Sequence, residues 1–222
     1  MNTSRMAMPT PMPASQWDFD PAGWPDDDCV AAGADLRPPT LVAAYRHGAF
    51  PMPQGGRLLW WSPMRRAVLE PGALHISRST RRSARHFHIT VDTAFEQVID
   101  ACADPRRRGA WIDADIRAAY VELHRLGWAH SVETRDADGN LVGGVYGVEA
   151  GRLFCGESMF HRATDASKVA LIGLVDVAGE DALIDVQWMT PHLASLGVAE
   201  RPRSWYLSEL PTLVDSPSLW WT

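Results

Sequence analysis

Hydrophobic and polar positions alternate along this chain in two rhythms, one helical and one strand-like. The first clear helix runs from Pro38 to His47, with proline in its first turn and Gly48 placed to stop it. Ala49-Phe50-Pro51-Met52-Pro53 then forces an extended stretch, and Leu58 to Trp61 closes a small N-terminal unit. Beyond it, Ala67-Val68-Leu69 and His88 to Val91 read as short strands. Asp92 is placed to cap a helix that carries Phe95, Val98, Ile99 and Cys102 at helical spacing. Asp113 or Asp115 caps the next one, whose stripe is Ile116, Ala119, Tyr120, Leu123 and Leu126, closed by Gly127. A β-meander follows: Ala129 to Thr134, a turn at Asp136 to Asn140, Leu141 to Val148, a second turn at Glu149-Ala150-Gly151, and Arg152 to Gly156. Asp165 to Val177 reads as an apolar helix and Leu183 to Met189 as a strand. Strands in succession, then a helix, then a strand indicate an α+β fold rather than a doubly wound sheet. Residues 1–22 are expected to be a disordered tail, 23–66 a small N-terminal domain and 67–222 the main domain.

Composition narrows the class. With 222 residues and 46% hydrophobic content, the chain is long and apolar enough to build a packed core. No run approaches the roughly 18 apolar residues of a membrane span, and the Met- and Pro-rich N-terminus has no continuous apolar segment of a secretory signal. A cytoplasmic protein is expected. Cys29, Cys102 and Cys155 are odd in number and match no zinc or CxxC spacing, so free thiols in a reducing compartment are the simplest reading. The histidines form no metal motif, and neither a P-loop nor a GxGxxG occurs, so neither metal nor cofactor is expected.

Charge changes the picture more than its total does. The net charge is −6, yet Arg57, Arg65, Arg66, Arg78, Arg81, Arg82 and Arg85 crowd one segment in which Glu70 is the only carboxylate. A solvated surface would explain such a run, but a one-signed cluster inside an acidic protein fits phosphate binding better, to RNA or another polyanion. Asp185 and Gln187 stand two apart in an otherwise apolar strand, which puts both on one face. Either a hydrogen-bonded structural pair or an active centre would explain them. Glu157 follows a buried strand among apolar neighbours, as a turn carboxylate or as a ligand for an amino group. Trp60, Trp61, Trp111 and Tyr120, with Met52, Met159 and Phe160, could be core or could line a side-chain pocket. Gly143-Gly144 inside a strand marks a bulge or a close backbone approach.

Several of these segments together resemble one family. They are Trp60-Trp61-Ser62-Pro63, Leu74 through Ser79, Val142 through Val148, Leu153 through Phe160, Ala166-Ser167-Lys168, Leu183 through Gln187, and His192 through Gly197. In that order they resemble the leucyl/phenylalanyl-tRNA–protein transferases over about residues 30 to 200. The resemblance implies a C-terminal domain of the N-acetyltransferase (GNAT) type, without the CoA enzymes' Gly-rich pyrophosphate loop. It implies transfer of Leu, Phe or Met from aminoacyl-tRNA to proteins that begin with Arg or Lys, marking them for N-end-rule degradation, by a monomer with no cofactor and no membrane. Asp185 and Gln187 would be the catalytic relay, the Gln187 carbonyl receiving a hydrogen bond from the amine. Glu157 would hold an amino group, and Trp111, Tyr120, Phe154 and Met159 would form the side-chain pocket. Met52, Val145 and Leu174 occupy pocket positions where a family member has Trp, Met and Phe, so the donor ranking is open. Arg65, Arg66, Arg78, Arg81, Arg82 and Arg85 would hold the tRNA acceptor stem through phosphates. Two other readings compete: tRNA-dependent transfer to a cell-wall precursor or small molecule, and a non-catalytic RNA-binding module.

Overall fold

A computed structural model describes residues 8–107 and 109–217. The small N-terminal part is a three-stranded antiparallel sheet of β1 (Cys29–Ala32), β2 (Phe50–Gln54) and β3 (Arg57–Trp61), in the order β1-β3-β2, with helix α1 (Pro38–His47) between β1 and β2. Gly48 ends α1 at φ 91°, a left-handed backbone that favours glycine, and its N–H caps the last turn. The larger part holds β4 (Arg65–Leu69), α2 (Arg78–Ala84), β5 (His88–Val91), α3 (Phe95–Cys102) and α4 (Ala114–Arg125). It continues through β6 (Ala129–Arg135), β7 (Leu141–Ala150), β8 (Leu153–His161), α5 (Ala166–Ala178), β9 (Leu183–Gln187), α6 (Pro191–Ala194), β10 (Ala199–Pro202) and α7 (Arg203–Val214). Its strands form one seven-stranded sheet in the order β10-β4-β9-β8-β7-β6-β5, antiparallel except at β8–β9. The chain is thus a mixed α/β protein with a small N-terminal part and a larger sheet domain. Among the described residues no helix is long and apolar enough to cross a membrane.

The sheet is buried on both faces. On one face α5 packs Ala170, Leu171 and Leu174 against Val132, Val145, Phe154 and Ile184. The other face meets α1, α3, α4, α7 and the N-terminal sheet through a larger core that includes Tyr45, Phe50, Trp60, Tyr120, Tyr146 and Tyr206. At Gly143 the backbone of α5 comes so near that an added Cβ would lie 2.7 Å from Ala166, so the strand glycine marks a close approach.

Several local expectations differ from the structure; among them, β9 ends at Gln187 rather than Met189 and β7 runs on to Ala150. Residues 8–22 of the anticipated tail lie against the body: Thr10 bonds both the Leu126 carbonyl and the Trp128 indole, and Phe19 is buried edge-on to Trp60. The part of that tail before residue 8 lies outside the described residues. Asp92 does not cap α3, whose N-cap is Ala94. Its carboxylate instead accepts from the Ser131 N–H and His130 Nδ1, each at 2.7 Å, which fixes the corner between β5 and β6. Finally, β8 does not stop at Gly156 but runs on to His161.

Candidate active site

The site forms where two parallel strands part. β8 and β9 pair from Leu153–Leu183 to Cys155–Asp185, then diverge although both continue. At the same level β8 carries a bulge: Tyr146 faces Ser158 and Gly147 faces Gly156, which leaves Glu157 as the extra residue. A bulge re-aims its side chain. Glu157 therefore turns into the notch, where its Oε1 accepts a hydrogen bond from Gln187 Nε2 at 3.2 Å. Gln187 has φ 62°, a left-handed conformation uncommon for a residue with a side chain, at the very end of β9.

Asp185 fixes that conformation. It is fully buried, and Arg66 grips it with Nε to Oδ1 at 2.8 Å and Nη2 to Oδ2 at 2.5 Å. Tyr206 Oη donates to Oδ2 at 3.0 Å, and the Gln187 backbone N–H donates to Oδ1 at 2.9 Å. Arg66 is buried too. Its guanidinium lies 5.0 Å from the Phe50 ring centroid and 4.4 Å from that of Tyr206, and it donates through Nη1 to the Gly48 carbonyl at 2.9 Å. The carboxylate beside Gln187 is thus tied through one arginine to the N-terminal part of the chain.

Glu157 sits in a different field. Tyr120 Oη donates to its Oε2 at 3.0 Å, and the Tyr45 and Tyr120 hydroxyls bond each other. Burial pushes its carboxyl up to about 8, against the opposing effect of the Tyr45 and Tyr120 hydrogen bonds. The two carboxyls of the notch thus have different partners: Asp185 is held by a cation, Glu157 by neutral hydroxyls.

Beside Gln187 and Glu157 lies a cavity of about 230 Å³. Val145, Met159, Leu171, Leu174, Ile184, Val186 and Leu193 give it an apolar wall, while Ser158, Thr190 and His192 complete the rim. It falls below the roughly 300–1,000 Å³ of drug-sized pockets and suits a single apolar side chain.

Profiles of the leucyl/phenylalanyl-tRNA protein transferase match residues 68–211, and that family's N-terminal domain matches residues 34–64. The chain belongs to this family. The leucyl/phenylalanyl-tRNA–protein transferase of Stutzerimonas stutzeri is 52% identical over 196 residues, covering 85% of this chain and 86% of that protein. Its counterpart in Yersinia enterocolitica is 50% identical over 195 residues, covering 85% and 81%. Two solved structures resemble the chain remotely. A conserved protein of unknown function from Bacteroides thetaiotaomicron has a TM-score of 0.38 at 13% identity, with 59% of this chain and 53% of that one covered. The L-PGS of Bacillus licheniformis has 0.36 at 13%, covering 57% and 46%. At that distance neither adds to the assignment.

The expected site residues separate into groups in this family member. Asp185, Gln187 and Glu157 meet at the notch, while Val145, Met159 and Leu174 line the cavity beside it. Phe154 is buried in the core behind that cavity. Tyr120 does not line the cavity and meets Glu157 through its hydroxyl. Trp111 and Met52 are half-buried outside the cavity, and the Met52 carbonyl accepts from Trp61 Nε1 at 3.0 Å. Of the arginines expected to meet phosphates, Arg78, Arg81, Arg82 and Arg85 are exposed on or just after α2, and Arg65 is exposed while paired with Glu200. Arg66 is the exception: enclosed with Asp185, it has no surface to offer a phosphate.

Sequence reading missed Tyr45, Tyr206 and the inward course of Arg66. The last was legible. Strand parity puts Arg66 on the face of Val68, and Val68 belongs to the core packed against α1 and α7. One histidine-carboxylate group also emerges among the described residues, at Asp92, His124 and His130. His130 Nδ1 bonds Asp92, and His124 Nδ1 bonds the Ala129 carbonyl at 2.8 Å, so these groups already serve the β5–β6 corner.

Proposed function

We infer that this chain transfers Leu or Phe, and also Met, from aminoacyl-tRNA to the N-terminal Arg or Lys of proteins, which marks them for N-end-rule degradation. Family membership with about 50% identity over most of the chain supports the reaction class. The single structural observation that carries the reading is the apolar cavity opening directly onto Gln187 and Glu157. It would hold the donor's side chain and leave its ester carbonyl at the notch. A wall of Val145, Met159 and Leu174 suits unbranched-at-Cβ side chains and crowds Ile and Val, a shape effect of about 1–3 kcal/mol.

An aminoacyl ester is already activated, so the protein's task is alignment, proton removal and stabilisation of the tetrahedral oxyanion. With Nε2 of Gln187 turned to Glu157, the amide's Oε1 end faces away from it and is placed to accept a hydrogen bond from the attacking amine. Asp185, charged and immobile beneath, fixes the Gln187 backbone and polarises it. The larger domain would be of the GNAT type, a reading supported by the parting of its parallel strands beside a β-bulge. Arg78, Arg81, Arg82 and Arg85 would track the acceptor stem, with Arg65 at their edge; Arg66 belongs to the site's interior. The protein would act in the cytoplasm as a monomer, without cofactor or metal.

The test is direct. Purified protein, given Leu-tRNA or Phe-tRNA carrying labelled amino acid and a peptide beginning with Arg, should label the peptide's N-terminus. A peptide beginning with Glu should stay unlabelled. Absence of label from the Arg peptide overturns the reading.

A further inference from the structure

Joining an amine to an ester moves one proton from nitrogen to the departing ribose oxygen, and the expected relay has no room for it. Asp185 has both oxygens occupied, Oδ1 by Arg66 Nε and the Gln187 N–H, Oδ2 by Arg66 Nη2 and Tyr206. Protonating it would strip Arg66 of its buried counter-charge. Gln187 is not basic. Two other titratable side chains line the cavity, Glu157 and His192. His192 lies on the exposed rim in α6, whereas Glu157 bonds Gln187 itself.

We propose that Glu157 is the proton carrier of the transfer step. As the N–C bond forms, Glu157 takes the proton released by the amine nitrogen. As the C–O bond breaks, it returns that proton to the ribose oxygen, leaving a neutral amide and a free hydroxyl. This rests on the notch being the aminoacyl-transfer centre.

The surroundings suit the task. Tyr120 holds Oε2, and Oε1, which accepts from Gln187 Nε2 at the edge of the cavity, is the working oxygen. The titratable groups facing Glu157 are Tyr45 of α1, Tyr120 of α4, Tyr146 of β7, Cys155 of β8 and the Asp185–Arg66 pair of β9 and β4. Burial keeps the four neutral ones protonated, and Asp185 answers the charge of Arg66. Glu157 titrates at about 8, close to the roughly 7.7–8.0 of an α-amino group, so the proton passes in both directions with little driving force lost. Tyr120 and Tyr45 are positioning residues: their hydroxyls favour the charged carboxylate and hold it still.

Single-turnover transfer to an Arg-initiated peptide, followed from about pH 6 to about pH 9.5, tests this. The amine's own titration is common to every variant. In wild type a second, enzyme-borne limb should accompany it. Glu157→Gln should slow transfer by about 10²–10⁴-fold, abolish that limb and leave aminoacyl-tRNA binding within about two-fold. Tyr120→Phe, which removes a donor to the carboxylate, should keep the limb but move it to higher pH. His192→Asn should leave it in place. Transfer by Glu157→Gln within about three-fold of wild type, a limb unmoved by Tyr120→Phe, or a limb lost in His192→Asn would each overturn the proposal. Should wild type itself fail to label the peptide, the functional reading fails instead, and the two failures are distinct.

Discussion

Arg66 and Asp185 are the best place to test the physics of the site, because both charges are enclosed and each is the other's partner. Consider Asp185→Leu. It leaves the Arg66 guanidinium between Phe50 and Tyr206 with no counter-charge, and an arginine cannot discharge itself by losing a proton. Breaking a buried pair this way costs about 3–5 kcal/mol. In a chain of this length each kcal/mol is worth about 2–4 °C, so Tm should fall by about 6–20 °C. Arg66→Met is milder, because the abandoned Asp185 keeps the Tyr206 and Gln187 donors and can take up a proton. The double variant Arg66→Met/Asp185→Leu removes both charges, and its cost should fall short of the sum of the singles by about 2 kcal/mol or more. Urea unfolding measures all three, with unchanged m-values confirming one native state. Activity should not follow stability: the double variant regains stability yet stays inactive, because nothing then holds the Gln187 N–H. Additive costs, or an Asp185→Leu cost below about 1 kcal/mol, would refute the buried-pair reasoning. Recovered transfer in the double variant would show that Asp185 is not needed to orient Gln187.

Other expectations follow from the same geometry. Val145→Phe should shrink the cavity and lower kcat/KM for Phe-tRNA more than for Leu-tRNA, by about 10-fold or more; equal loss for both donors would place the side chain elsewhere. Replacing Arg78, Arg81 and Arg82 together by Ala should weaken tRNA binding and reduce its salt slope by about one for each phosphate no longer neutralised, whereas Arg66→Met should leave that slope unchanged. Glu157 titrates near 8 when folded and near its ordinary 4.5 when unfolded, so between those values the folded state binds the extra proton. Its contribution to stability is then fully present below about 4.5 and is lost as pH rises to about 8, with a span on the order of a few kcal/mol. Glu157→Gln should flatten the fall of Tm across that window; an unchanged slope would mean that Glu157 is charged throughout it.

Local chemistry made much of this fold legible. Pro38 and Gly48 bracket α1 as their backbone preferences require, Asp113 caps α4 through the Ile116 N–H, and β5 spans His88–Val91 as its pattern predicts. The departures have separate causes, one set by distant partners and the others by local breaks in the pattern. Asp92 could have capped α3, but the β6 backbone and His130 hold its carboxylate. The end of β8 was hidden because the bulge at Glu157 breaks the alternation that would have carried the strand to His161. Helix α7 was hidden by Pro202 before it and Pro211 inside it, although Arg203, Tyr206, Leu210 and Val214 mark its buried stripe. Within the site, the family resemblance pointed to Asp185, Gln187 and Glu157. Nothing in their spacing could show that Tyr206, Tyr45 and Tyr120 stand behind them.

Arg66 shows why strand parity outweighs composition. It stands in a run of arginines and so looks like part of a phosphate-binding surface, yet its neighbour Arg65 faces solvent while Arg66 faces the core. Polyanion binding needs only exposed charge, and Arg78, Arg81, Arg82 and Arg85 supply that from outside the sheet. A buried arginine serves another end. Its planar fork spans both oxygens of Asp185 and its third arm reaches the Gly48 carbonyl just past α1, so one side chain sets the carboxylate, the Gln187 backbone and the seat of the N-terminal part together. An activated ester asks for alignment more than for acid or base strength. The sequence answers with a rigid, charged anchor under Gln187 and a separate, softly held carboxyl at Glu157 that remains able to change its proton.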